Sequence, residues 1–280
     1  MTPSKRSRTT VSNILGDVLC GVDGTRSSYE AVRQAALLCS PRSQLTLLAI
    51  CGVSGSGHYP TASLAPARAQ RALDHARRVA RDVGVDSSAE LEERGPVVEL
   101  LLKRAAKHRL LALGAPKMSR LAHVLVRGVA TQAAHTLPCS LLIARRPPSG
   151  SRPDEHIMVA SDAGSGSAQV VEFTIELART HDASLMLLNA VHSEQDLHPT
   201  RIAAQTEQVQ RGLRERATIR VEPGRAHATI VRIAKEKGVT LIVLGSRRLR
   251  GVRALGSVSE RVVHDAPCSV LVLRPEARRG

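Results

Sequence analysis

The chain has 280 residues, 42% hydrophobic and 23% charged, enough for one large domain or two of ordinary size. It carries 40 basic and 25 acidic residues, a net charge of +15 that favours anionic partners. Only three aromatics occur, Tyr29, Tyr59 and Phe173, too few for the stacking platform of a single-strand binder. No apolar run reaches the roughly 20 residues of a membrane span.

The first residues, MTPSKRSRTTVSNILGDV, are basic without a sustained apolar stretch. They read as a short disordered tail, not a secretory signal. DVLCGVD (17–23) is a short apolar run ending at a turn, a first strand. Ser27 or Ser28 is expected to cap the helix that follows, in which Ala31, Ala35 and Leu38 recur at helical spacing. QLTLLAI (44–50) is a second strand, residues 64–84 an Ala- and Arg-rich helix, and AELEER (89–94) a weakly alternating third strand. PVVELLLKRAAKHR (96–109) is a helix with Pro96 in its first turn. LLALGA (110–115) is a fourth strand, the region 128–136 a helix, and CSLLIAR (139–145) a fifth strand.

RRPPSGSRPDE (145–155) is a linker by composition. Beyond it the order repeats: strands at 156–162, 184–191 and 217–222, a helix at 226–238, and strands at 241–245 and 268–274. VRGVATQAAHTLPCSLLIAR (126–145) matches LGSVSERVVHDAPCSVLVLR (255–274), with His135 over His264 and Cys139 over Cys268 at an offset of 129. LLALG matches LIVLG at an offset of 131, and Asp23 matches Asp162 at 139. The first half therefore holds eight extra residues in its middle, placed in the Gly- and Ser-rich loop 51–63. The chain is a duplication. Runs without alternation mark strands buried on both faces, so each half is expected to be α/β, an open doubly wound sheet of five parallel strands. Ligands of such sheets sit at the carboxyl ends of the strands, the rim that carries Asp23 and Gly114 or Asp162 and Gly245.

This pattern resembles the universal stress protein family, as two tandem domains at 15–147 and 154–275. The resemblance implies an adenine nucleotide alpha hydrolase-like fold and a stress-response regulatory role. Members that bind ATP carry a loop G-x2-G-x9-G-[ST] after the fourth strand, while other members lack the loop and do not bind ATP. In the first half Gly114 takes the first glycine position, Lys117 the second, Arg127 the third and Gly128 the hydroxyl position. In the second half Gly245 fits the first position, Arg248 stands at the second, and Gly256-Ser257 close the loop two residues early. The resemblance implies nucleotide contacts at Asp162, Ala190, Gly245, Arg248, Gly256, Ser257, Val258 and Ser259, and weaker ones at Asp23, Gly114, Lys117 and Gly128. ATP is the expected ligand, with Mg2+ arriving only with it. Arg248 could add a charge-assisted bond to phosphate or fill its pocket; both readings stand open.

GSGSAQ (164–169) lacks the third glycine of a dinucleotide fingerprint and reads as a turn followed by a serine cap. Asp23 and Asp162 fit a ribose contact and a turn cap equally well. His135 and His264 are expected to be packed or surface histidines, their recurrence reflecting ancestry. No nucleophile–base pair or metal-ligand spacing stands out, so the chain is not expected to be an enzyme. Five cysteines without a CxxC pair read as reduced thiols in the cytoplasm. The final strands of the halves are apolar, and the resemblance implies that they pair the halves into an intramolecular pseudo-dimer. A homo-oligomer and an acidic protein partner meeting the basic loops are further expectations. Nucleic acid held by charge alone would bind weakly and steeply with salt, and is disfavoured.

Overall fold

The computed structural model describes residues 15–38, 43–51, 65–92, 97–115, 139–147, 151–164, 166–193, 198–246 and 257–274. They form two compact units, the first running to Arg145 and the second beginning at Arg146.

The first unit runs β1 (Val18–Gly21), α1 (Arg26–Leu38), β2 (Leu45–Ile50), α2 (Pro66–Asp82), β3 (Ser87–Glu92), α3 (Val97–Ala105), β4 (Leu110–Gly114) and β5 (Ser140–Ala144). The second runs β6 (His156–Ser161), α4 (Ser167–Thr180), β7 (Ser184–Val191), α5 (Pro199–Leu213), β8 (Ala217–Pro223), α6 (Ala226–Glu236), β9 (Leu241–Gly245), α7 (Ser257–Asp265) and β10 (Ser269–Leu273). The strand orders are β3-β2-β1-β4-β5 and β8-β7-β6-β9-β10, with every pairing within a unit parallel. Every residue of β2, β5 and β10 is buried, as runs lacking alternation require when helices cover both faces of a sheet.

Register fixes which residues of the halves correspond. Val18 pairs with Leu45 and Leu110, and Ile157 pairs with Leu185 and Leu241. Four residues on, Val22 of the first half stands where the second has Ser161, and Ala49 stands where it has Asn189. Between strand and helix, β2 and α2 are separated by 15 residues and β7 and α5 by seven, so the extra length lies where the sequence placed it.

Local expectations shift in three places. Strand β3 starts at Ser87 because its backbone pairs with β2 from there, with Ser88 Oγ donating to Thr46 Oγ1 at 3.2 Å; polar residues carry no periodic mark of that start. Helix α2 begins at Pro66, whose missing N–H costs nothing in a first turn. The cap of α1 is Thr25, not Ser27 or Ser28. Its Oγ1 accepts the Ser28 backbone N–H at 3.2 Å, while the Ser28 hydroxyl, already inside the helix, donates to the Thr25 carbonyl at 2.9 Å. Thr25→Ala is therefore expected to destabilise the first half by about 1 kcal/mol in a denaturant titration, with Ser27→Ala close to neutral. The expected helix at 128–136 lies outside the described residues.

Candidate functional site

In each unit the sheet order reverses between the first and fourth strands, β1 and β4 or β6 and β9. The carboxyl ends of those strands form the crevice where such sheets take ligands.

Both halves build the same turn after the first strand. Asp23 Oδ1 accepts the Thr25 backbone N–H at 2.9 Å and its hydroxyl at 2.6 Å. Asp162 Oδ1 accepts the Gly164 N–H at 2.9 Å. The residue between is left-handed in both, Gly24 at φ +77° and Ala163 at φ +52°. Glycine takes that conformation freely, whereas alanine there costs about 1 kcal/mol or more. The second half holds it by burying Ala163 and passing its N–H to Ser161 Oγ at 3.0 Å. Both aspartates thus act as turn caps in this structure. Ser167 is not the cap of α4. It is the first helical residue, it donates to the Gly164 carbonyl at 2.7 Å, and Gly166 stands at the cap position.

The halves diverge just below this turn. In the second, Ser161 Oγ donates to Gln205 Oε1 at 2.8 Å, and Gln205 Nε2 donates to Ser167 Oγ at 2.9 Å. Asn189 Nδ2 donates to the Ser161 carbonyl at 3.0 Å. Asn189 is 2% exposed, and its Oδ1 has no hydrogen-bond partner among the described residues. A buried acceptor left unpaired costs about 1–3 kcal/mol. The corresponding first-half positions are the apolar Val22 and Ala49. Ser161, Asn189 and Gln205 were missed in the sequence. The signal was there as a polar Asn closing the apolar run SLMLLN, set against Ala49 in the other copy.

The expected contact residues are only partly gathered. Ala190 follows Asn189 at the end of β7, and Gly245 ends β9. Ser257 is the first residue of α7, the end of the helix toward which its first backbone N–H groups point, and Val258 follows it. The Ser259 hydroxyl donates to the Gly245 carbonyl at 3.4 Å, tying α7 to the end of β9. Gly114 ends β4, with the first turn of α1 pressed against it. Arg248, Gly256, Lys117, Arg127, Gly128 and His135 lie outside the described residues.

His264 is half-buried. Its Nδ1 lies 2.8 Å from Asp265 Oδ1, and His227 Nε2 of α6 lies 2.9 Å from Asp265 Oδ2. Burial would raise the Asp265 carboxyl, but the two histidine hydrogen bonds outweigh it and hold it below its ordinary range. No group of three His, Cys, Asp or Glu that could hold a metal occurs among the described residues. The described cysteines, Cys20, Cys51, Cys139 and Cys268, are buried. Burial, aided by Asp23, pushes the Cys20 thiol far above its usual value and leaves it inert. No helix among the described residues is long and apolar enough to cross a membrane.

At the strand-connecting end of the second unit, opposite the rim, a feature appears that composition hid inside the linker. Asp154 accepts from His181 Nδ1 at 2.7 Å and from Arg152 Nε and Nη2 at 3.2 and 3.0 Å. Arg152 Nη2 also reaches the His181 carbonyl at 3.1 Å.

The profile of the universal stress protein family matches residues 16–145 and again 155–274. A Staphylococcus haemolyticus protein of the same description is 30% identical over 141 residues, covering 44% of this chain and 86% of that one. Among solved structures, a universal stress protein from Archaeoglobus fulgidus aligns over 91% of this chain and 97% of its own, with a TM-score of 0.72 at 18% identity. One from Pseudomonas aeruginosa aligns over 95% of each chain, with a TM-score of 0.62 at 19% identity. Identities that low speak for a shared fold alone.

Proposed function

Since the chain belongs to the universal stress protein family, with two of its domains in tandem, we propose that it is a cytoplasmic stress-response regulatory module that takes ATP in its second half. It acts by binding and not by catalysis, and its first half is a degenerate copy. The observation that carries this reading is Asn189 Oδ1, a buried acceptor without a partner among the described residues, at the rim next to Ala190. The exocyclic amine of adenine is a donor suited to such an atom, and Ala49 of the first half offers it nothing. Asn189, Ala190 and Asp162 would hold the nucleoside. Gly245, Arg248, Gly256 and the start of α7 at Ser257, Val258 and Ser259 would face the phosphates, where backbone N–H groups favour an anion. Mg2+ would enter with those phosphates.

The same reading sets the domains at 15–147 and 154–275 and makes them an intramolecular pair, in place of two separate chains. Two family segments in one chain support it. Sedimentation should then give the mass of one chain, and a two-chain mass would point to a homo-oligomer instead.

The test is thermal unfolding with and without millimolar Mg-ATP. At 100 times its dissociation constant the nucleotide should add about 2.7 kcal/mol to the parent. Asn189→Ala and Gly256→Arg, which copy the first half in spirit, should each lose that gain. A parent that shows no shift overturns the nucleotide reading.

A further inference from the structure

The sequence placed the basic surface in the loops, but the described residues put a second one on a helix. Helix α2 buries Ala69, Ala72, Leu73, Ala76 and Ala80 against its unit and leaves Arg68, Arg71, Arg78 and Arg81 exposed. On a helical wheel Arg71 and Arg78 fall at the centre of the solvent stripe, with Arg81 to one side and Arg68 to the other. From Arg68 to Arg81 the stripe is about 20 Å long. Asp74 approaches Arg77 at 3.9 Å, and the four exposed arginines have no ion pair among the described residues. Beside them the Tyr29 ring packs against His75, tilted by 57° at a centroid distance of 4.3 Å.

The duplication supplies an internal control. Any genome-wide drift toward arginine acts on both copies alike. Helix α5 stands in the same place and also starts with proline; in that register it and the residue after it carry Arg201, Arg211 and Arg214 where α2 has Arg68, Arg78 and Arg81, but Ala204 where α2 has Arg71. Two of these three are engaged. Arg211 pairs with Glu207, and Arg201 turns in to the Ala163 carbonyl at 3.5 Å. The full row of four exposed arginines without a carboxylate partner among the described residues is thus found on α2, and Arg71 is the position that sets it apart from its counterpart.

We propose that the Arg68–Arg71–Arg78–Arg81 face of α2, with Tyr29 at its edge, is the docking surface for an acidic helical segment of a partner protein. Charge complementarity sets the class. An anionic membrane would call for apolar side chains on the same stripe, and its exposed residues are Ala67, Gln70, His75 and charged groups. A nucleic acid would set its phosphates against Asp74, 51% exposed at the middle of the stripe, and the exposed Asp82. A protein helix can answer those carboxylates with a lysine while its glutamates meet the arginines, and tyrosine with arginine is the usual make-up of a protein hot spot.

The test uses the full-length chain and a fluorescently labelled helical peptide of glutamate with interspersed alanine and lysine, read by anisotropy at physiological salt. A DNA duplex and phosphatidylserine vesicles serve as competing probes. Arg71→Glu/Arg78→Glu should weaken peptide binding by about tenfold, since two exposed attractions become repulsions. Arg201→Glu/Arg211→Glu in α5 should change it by less than about twofold. Equal loss in both variants would reduce the surface to net charge and overturn the proposal. Unchanged binding in the first variant, or tighter binding of duplex or vesicles than of peptide by the parent, would overturn it too. Unchanged melting of both variants shows that exposed helix positions, and not the fold, were altered.

Discussion

Asp154→Ala is expected to lower the stability of the second half by about 2–4 kcal/mol, measured by denaturant unfolding at neutral pH. The side chain is 5% exposed and accepts three hydrogen bonds, one from His181 and two from Arg152, and hydrogen bonds to a charged group are worth more than neutral ones. Arg152 is 63% exposed and returns to water at no cost, which keeps the loss below that of stranding a buried cation. The pair ties the start of β6 to the end of α4, so its loss should free residues 151–155 first. Asp154→Asn keeps the shape and one acceptor, and should retain roughly half of the effect. The pH dependence has a defined sign. Burial alone would raise the carboxyl, but the His181 and Arg152 hydrogen bonds outweigh it and hold it well below the usual carboxylate range. A depressed carboxylate contributes stability that is fully present above its unfolded value of about 4 and is lost as pH falls toward the folded value. The parent should therefore lose stability below about pH 4 more steeply than Asp154→Asn. Parallel acid limbs for the two proteins would show that the carboxylate charge contributes nothing there.

What the sequence disclosed, it disclosed through local pattern. Burial on both faces wrote LTLLAI and LIVLG as unbroken apolar runs, and the duplication made each half a check on the other. What it hid depends on partners distant in the chain. Ser161 and Gln205 are 44 residues apart, and Asp154 and His181 are 27 apart, so no window on the sequence contains either pair. Ser27 or Ser28 was expected to cap α1 because both are cap-forming residues beside an apolar repeat; up to one turn of register separates them from Thr25, whose N–H Asp23 holds. Asp23 and Asp162 fitted ribose or turn equally from sequence, and the local geometry shows both holding the turn. The stripe on α2 was visible as arginine content, and only its lack of carboxylate partners separated it from an ordinary solvated face.

Gly114→Ala is expected to cost about 2–3 kcal/mol, and Gly245→Ala less than about 1 kcal/mol, although both fill the first glycine position of the same loop. At Gly114 an added Cβ would lie 2.3 Å from the Ser27 carbonyl carbon, 2.4 Å from its oxygen and 2.6 Å from the Ser28 nitrogen. Those atoms are the backbone of the first turn of α1. No rotamer change moves them, so β4 and α1 would have to separate, opening a contact that Ser28 and Ala31 now bury. At Gly245 the nearest atom is a methyl of Val170 at 3.1 Å, which can yield by a few tenths of an ångström. Packing alone thus accounts for the glycine at 114, so a glycine at this position is no sign of phosphate binding by itself. At 245, where alanine fits, packing does not demand the glycine. Gly245→Ala should leave the fold intact and weaken the Mg-ATP shift. A neutral Gly114→Ala would mean that α1 tolerates the added carbon, and the packing account of that glycine would fall.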